Sequence, residues 1–306
     1  MRAFLFPGQG SQQVGMGKVL ASEFPKAREV FEAADDALGF RLSKLCFEGP
    51  EEDLRLTANT QPAILTTSIA VLRVVESETG VRPDVCAGHS LGEISALVCA
   101  GALSFPDAVR LTRLRGQAMQ EAVPPGVGAM AAVIGCSLEK VEEACREARG
   151  DEVVAPANLN GGGQIVIAGH TGAVERAARL LKERGAKLVK MLAVSGPFHT
   201  VLMEPAARRL EEALKEVAVG ELRVPVVTNV EAAPNQDSTR VKELLVRQVT
   251  SVVRWEESVQ RLREMGVTTA YELGPGTVLA GLCKRIAPEM AVTAVSEPSH
   301  IRALRA

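Results

Sequence analysis

The sequence predicts an α/β protein, with a large domain on a parallel sheet and a small ferredoxin-like domain inserted into it. Three observations carry this expectation. Short apolar strands alternate with helical patterns up to residue 121, as in a parallel sheet covered by helices. After Pro124-Pro125-Gly126 the order becomes strand, helix, strand, strand, helix, strand, which is that of a ferredoxin-like unit. Strand and helix then alternate again. The expected division is residues 1–126 and 196–306 for the large domain and 127–195 for the small one.

The apolar strand 3–6 runs into the loop Pro7-Gly8-Gln9-Gly10-Ser11-Gln12. Helical periodicity covers 25–38 and 61–78, a buried strand 84–89, and helices 91–100 and 106–121. In the small domain, strand 128–134 precedes an amphipathic helix 138–149. Strands 153–159 and 164–168 are joined by Asn160-Gly161-Gly162-Gly163, and helix 173–184 leads to strand 187–194. His199 is expected to open a helix reaching residue 217, with Pro205 as an irregularity inside it. Strand 225–229, helices 239–248 and 255–265, strand 269–273, the loop Gly274-Pro275-Gly276 and a helix to 285 complete the large domain. His300 falls in a polar tail.

Of the 306 residues 46% are hydrophobic and 24% charged, a mix that can bury a sizeable core. The formal net charge of -2 argues against a dedicated nucleic-acid or anionic-membrane surface. One Trp and one Tyr do not make a base-stacking platform. The first residues lack a signal-peptide layout, because Pro7 and Gly8 break a short apolar run, and no stretch reaches the length of a membrane span. Cys46, Cys86, Cys99, Cys136, Cys145 and Cys283 show no metal-type spacing. They read as buried free thiols of a cytoplasmic protein, and no metal site is expected.

The strongest chemical signal is Gly88-His89-Ser90-Leu91-Gly92, a G-x-S-x-G pattern between an apolar strand and a helix. Such an elbow needs glycine on both sides of the serine, since a side chain there would clash. It exposes the Ser90 hydroxyl at a helix N-terminus, where positive partial charge favours developing negative charge. A serine nucleophile needs a base, because its hydroxyl does not ionise near neutral pH. Among four histidines, His89 adjoins Ser90 at a turn whose neighbours point apart, His170 lies in the small domain, and His300 lies in the tail. Elimination leaves His199, at the return to the large domain; the other reading of it is a helix-capping histidine. One oxyanion donor is expected from the amide of Leu91. The loop Gly8-Gln9-Gly10 is suited to supply a second, although it also reads as a turn alone. It is not a phosphate loop: Gln13 breaks G-x-G-x-x-G, and Val19 after Gly17-Lys18 breaks the P-loop pattern.

These residues together resemble the malonyl-CoA:acyl carrier protein transacylase family over nearly the whole chain. The likeness rests on Phe6-Pro7-Gly8-Gln9-Gly10-Ser11-Gln12, Gly88 through Glu93, Arg115-Gly116 with Met119-Gln120, Asn158-Leu159-Asn160 with Gln164 through Gly169, Pro197-Phe198-His199, Gln248-Val249-Thr250-Ser251 through Arg254-Trp255, and Gly274-Pro275-Gly276. Val252 and Gly196 depart from it, at positions where proline and alanine are common. The resemblance implies an α/β-hydrolase-like large domain and a Ser90–His199 dyad whose imidazole is oriented by the main-chain carbonyl of Gln248. It implies the amides of Gln9 and Leu91 as the oxyanion hole, and Arg115 as the partner of a malonyl carboxylate. Without it Arg115 reads as a solvated helix residue. Phe198 before His199 resembles the malonyl-selective form of the motif. Malonyl-CoA and acyl carrier protein are the implied partners, in the service of fatty-acid synthesis, and coenzyme A enters as a substrate thioester rather than a cofactor. A serine esterase would instead run serine, acid, then a late histidine, and His199 lies mid-chain. An inactive docking subunit would not need the set Ser90, His199, Gln9 and Arg115.

Overall fold

The computed structural model of the chain describes residues 1–194 and 196–304. In chain order the first elements are β1 (Arg2–Phe6), α1 (Lys18–Glu23), α2 (Pro25–Leu38), α3 (Leu42–Glu48), α4 (Glu51–Arg55) and α5 (Thr57–Thr79). Then come β2 (Val85–Gly88), α6 (Leu91–Ala100) and α7 (Phe105–Glu121). A second unit comprises β3 (Gly128–Ile134), α8 (Leu138–Arg149), β4 (Val154–Gly161), β5 (Gln164–His170), α9 (Thr171–Glu183) and β6 (Leu188–Met191). The chain continues through a 3₁₀ turn (Val201–Met203) into α10 (Glu204–Lys215), β7 (Val226–Val227) and β8 (Pro234–Asn235). A second 3₁₀ turn (Ser238–Arg240) leads to α11 (Val241–Thr250), α12 (Trp255–Glu264), β9 (Thr269–Leu273), α13 (Val278–Ile286), β10 (Ala291–Val295) and α14 (Pro298–Ala303).

The large sheet has the order β10-β9-β1-β2-β7-β8 and is parallel except for the last pair. β1 lies inside it and is apolar on both faces, as a strand covered on both sides must be. Phe4 and Phe6 join one core with Ile64, Ile69 and Leu97, while Ala3 and Leu5 join another with Trp255 and Leu279. Each large apolar side chain so buried contributes roughly 1.5–3 kcal/mol. The carboxyl ends of β1, β2 and β9 run into Pro7-Gly8, His89-Ser90 and Gly274, so three loops gather at one edge. In parallel sheets that edge is where ligands bind.

The small sheet is antiparallel, in the order β4-β5-β3-β6. This is the ferredoxin-like arrangement, set within an α/β-hydrolase-like large domain. One face carries α8 and α9 through Val141, Ala144, Val174 and Leu181. The other face adds Met130, Val166 and Ala168 to the core of the large domain. β4 is also tied to the segment before α12: Leu159 N donates to Val253 O at 2.9 Å and Val253 N to Ala157 O at 2.9 Å. The 195/196 division expected from the sequence falls on Ser195, which lies outside the described residues.

Several expectations need correction. His199 does not open a helix. It sits in a turn with φ 62°, and α10 begins at Glu204 with Pro205 in its first turn. Proline fits that position because the first N–H groups of a helix have no intrahelical partner to lose. The polar tail holding His300 contains the short helix α14, in which His300 closes a capping box with Glu297. The strand expected at 225–229 is reduced to Val226–Val227, and the one at 187–194 to Leu188–Met191. Six helices and strands have no counterpart in the sequence expectation: α1, α3, α4, β8, β10 and α14. Each is seven residues or fewer, too short for a sustained periodic signal, and β10 also has the edge position and half-exposed pattern that weaken a strand signal.

Candidate active site

Ser90 occupies the turn between β2 and α6 with φ 50° and ψ −106°, a conformation a non-glycine residue adopts at a cost of about 1–3 kcal/mol. The surroundings over-determine it. A Cβ on Gly88 would lie 2.0 Å from the carbonyl of Gly92, and one on Gly92 would lie 2.0 Å from the carbonyl oxygen of Phe6. The two glycines therefore let β1, β2 and α6 close on one another. Ser90 N donates to Asn229 Oδ1 at 2.6 Å, Asn229 Nδ2 donates to Gly88 O at 2.7 Å, and Gln248 Nε2 donates to Ser90 O at 3.0 Å.

His199 is buried, with Nε2 2.8 Å from Ser90 Oγ and Nδ1 2.9 Å from the main-chain oxygen of Gln248. A carbonyl only accepts, so Nδ1 carries the proton and Nε2 is left to accept from the Ser90 hydroxyl. Burial pushes the imidazole down to about 3, with the positive charge of Arg115 adding to the effect. The ring is therefore a neutral acceptor throughout the neutral range. No acidic side chain takes part in orienting it among the described residues.

Arg115 is only 1% exposed, which overturns the expectation for a helix arginine read without the family resemblance. α7 presents it inward: Nη1 donates to Gln61 Oε1 at 2.7 Å, and Nη2 donates to Gln248 Oε1 at 2.8 Å and to Ser90 Oγ at 3.1 Å. Its Nε is buried and has no partner among the described residues. Burial pushes the guanidinium down to about 10, which leaves it charged near neutral pH. Arg113 points elsewhere, to Asn59 and over the ring of Phe40 at 5.2 Å.

Gln9, Leu91, Ser90, Arg115, Phe198 and His199 share a cavity of about 110 Å³. Among the described residues no hydrogen bond reaches the main-chain amide of Gln9 or of Leu91, so both remain able to donate to a ligand. Apolar walls come from Met119, Met130, Leu192 and Phe198, and a Cβ on Gly196 would lie 2.8 Å from Phe198 Cε1. A wider groove of about 470 Å³, lined by Gly10, Asn160, Val278 and others, shares Gln9, His89, Asn158, Leu192 and Val194 with this cavity.

The other histidines have separate partners. His89 Nε2 lies 2.8 Å from Asn160 Oδ1, its ring is 5.7 Å from that of Trp255, and burial lowers its basicity. His170 Nδ1 accepts from Val153 N at 2.9 Å. The structure thus brings together Ser90, His199, Gln9, Leu91, Arg115 and Gln248, as the sequence reading grouped them. That reading gave no role to Gln61, Glu93 or Asn229. Their signal was available as polar residues inside otherwise buried runs: all ten residues of α6, Glu93 included, are buried. Among the described residues no group of His, Cys, Asp and Glu side chains is placed to hold a metal, and no helix is long and apolar enough to cross a membrane. The six cysteines are free and buried.

A hydroxyl against a neutral imidazole, two unengaged amides and a buried cation define a site of the serine acyl-transfer class, and residues 3–298 match the family described as acyl transferase domain. The chain is 51% identical over 300 residues to the malonyl CoA-acyl carrier protein transacylase of Bacillus subtilis, covering 98% of this chain and 94% of that one. The solved transacylase of the same name from Coxiella burnetii superposes with a TM-score of 0.97 at 43% identity, over 99% of this chain and 96% of that one. A malonyl-transacylase solved in complex with a type II PKS acyl-carrier protein gives a TM-score of 0.97 at 46% identity, over 99% and 98% of the two chains. The chain belongs to the malonyl-CoA:acyl carrier protein transacylase family.

Proposed function

We propose that this chain transfers the malonyl group of malonyl-CoA to the phosphopantetheine thiol of acyl carrier protein, through a malonyl ester on Ser90. The observation that carries the reading is a buried guanidinium and a serine–imidazole contact of 2.8 Å in one cavity, with Arg115 Nη2 only 3.1 Å from Ser90 Oγ. His199 Nε2 takes the Ser90 proton as Oγ attacks the thioester carbonyl. The amides of Gln9 and Leu91 receive the resulting oxyanion. Collapse breaks the C–S bond, and the imidazolium returns its proton to the departing thiolate of coenzyme A. The carrier protein's thiol then repeats these steps in reverse, giving its proton to Nε2 and releasing Ser90. The Gln248 carbonyl holds Nδ1–H throughout, which takes the place of the acid in a three-membered triad.

Arg115 supports malonyl over acetyl as the transferred group. A carboxylate entering a buried site must recover the hydrogen bonds it loses from water, and a guanidinium offers paired donors for this. Coenzyme A is a substrate in this scheme and no cofactor takes part. The family's role in fatty-acid synthesis and the buried free thiols support a cytoplasmic enzyme of that pathway. The test is transfer: with malonyl-CoA and holo acyl carrier protein, the carrier should gain one malonyl group. Hydrolysis of malonyl-CoA without gain on the carrier would refute the proposal in favour of an esterase.

A further inference from the structure

Glu93 is a carboxylic acid on a helix that is buried all round, only 2% exposed itself, and no step of the transfer scheme uses it. It does not make a direct ion pair among the described residues. Its Oε2 accepts two hydrogen bonds, from Asn229 N at 2.9 Å and from Gln248 Nε2 at 2.8 Å. Both donors belong to residues that hold the nucleophile. Asn229 Oδ1 accepts from Ser90 N at 2.6 Å, and Gln248 Nε2 also donates to Ser90 O at 3.0 Å. Gln248 further supplies the carbonyl that holds His199 Nδ1 at 2.9 Å and the Oε1 that accepts from Arg115 Nη2 at 2.8 Å.

The side-chain amide of Gln248 therefore lies between a cation and a carboxyl. With Oε1 toward Arg115 and Nε2 toward Glu93, both contacts are favourable. Turned over, its NH₂ would face the guanidinium and its oxygen would face the carboxyl oxygen, so both contacts would be repulsive. Replacing Glu93 alone by an apolar side chain would leave these two buried donors without their acceptor. Burial pushes Glu93 up to about 7, opposed by these same two hydrogen bonds and by Arg115. A proton on Oε1 leaves Oε2 as an acceptor, so both contacts persist in either protonation state.

We infer that Glu93 is a positioning residue: through Asn229 and Gln248 its Oε2 sets the Ser90 elbow, the His199 imidazole and the Arg115 guanidinium in register. The inference rests on the Ser90–His199 reading above. It adds a single acceptor atom beneath all three groups.

The test compares three variants by the rate at which a neutral fluorophosphonate labels Ser90 in the whole protein, by the ratio of malonyl to acetyl transfer, and by thermal unfolding. Glu93→Leu keeps the bulk and removes the acceptor. Its labelling is expected to fall about a hundredfold, the scale of an ångström-sized misplacement, with a lower malonyl-to-acetyl ratio. Glu93→Gln can present one amide oxygen to both donors and should recover to within about tenfold of the parent. Glu93→Asp keeps the acid but withdraws it by about one C–C bond, roughly 1.5 Å, and should lose more than Glu93→Gln. This ordering stands even if Glu93→Leu does not fold. A folded Glu93→Leu that labels at the parental rate, or an aspartate variant faster than the glutamine one, would overturn the inference. Labelling of the parent at a residue other than Ser90 would overturn the dyad itself, an outcome distinct from normal parental labelling with insensitive variants.

Discussion

Replacing Arg115 by alanine separates recognition of the malonyl carboxylate from the chemistry of transfer. The side chain is fully enclosed, so a carboxylate that reaches it has little water left to solvate it. Removing the partner of a buried charge costs roughly 2–5 kcal/mol. At 1.36 kcal/mol per decade this is a loss of malonyl transfer between about thirtyfold and about 5,000-fold. Acetyl transfer should not lose this part. The structure shows, however, that the truncation also removes donors to Ser90 Oγ and Gln248 Oε1, so acetyl transfer should fall somewhat as well. The quantity to measure is therefore the malonyl-to-acetyl ratio, from kcat/KM for each thioester, with circular dichroism to establish folding. Arg115→Lys keeps the charge but loses the planar fork and should fall between parent and alanine. Arg113→Ala is the control, since its side chain turns to Asn59 and Phe40 and away from the cavity. An unchanged ratio in a folded Arg115→Ala would place the carboxylate elsewhere and remove the physical basis for malonyl selectivity.

Three further outcomes are expected. His199→Ala should slow transfer by about 10²–10⁴-fold, the usual worth of a general base, while His170→Ala and His300→Ala should not, because their partners lie outside the cavity. Equal losses in all three variants would contradict the dyad. Gly88→Ala should unfold the elbow, since its Cβ would lie 2.0 Å from backbone atoms of Gly92; a soluble variant with the parental melting temperature would contradict the close approach of β2 and α6. Because His199 is held down to about 3 rather than the ordinary 6.5, it stays unprotonated as pH falls through 6.5. Fluorophosphonate labelling of Ser90 should then show no acid limb from the imidazole near pH 6.5, and a limb there that persists in Glu93→Gln, where the acid pushed up to about 7 is gone, would mean that the imidazole titrates as if exposed.

Much of this architecture was legible because its signals are local. The elbow is a contiguous pattern whose glycines answer to contacts only 2.0 Å away, and the order of strands and helices gave the small domain directly. Long amphipathic helices such as α8 matched their expected bounds for the same reason. The sequence places His199 in a helix because Pro205, six residues later, reads as an interruption of it, whereas Pro205 lies in the first turn of α10. In the layer beneath the nucleophile the polar residues stand out in buried runs, but their pairing is out of reach for another reason. Asn229 is 139 residues from Ser90 and Gln248 is 155 from Glu93, so contacts such as these are fixed by tertiary closure and leave no periodicity to read. Arg115 shows the same limit: three arginines on one helix look alike until the fold buries one of them.

The most direct test of the acyl-enzyme is to mix the protein with malonyl-CoA alone, digest it, and locate the added mass. One malonyl group should appear on the peptide that contains Ser90, move to holo acyl carrier protein when this is added, and be absent from folded Ser90→Ala. The six cysteines are buried, and burial raises the thiols of Cys46, Cys86, Cys145 and Cys283, so none is expected to carry it. A malonyl group on a cysteine, or transfer that persists in Ser90→Ala, would contradict the serine intermediate.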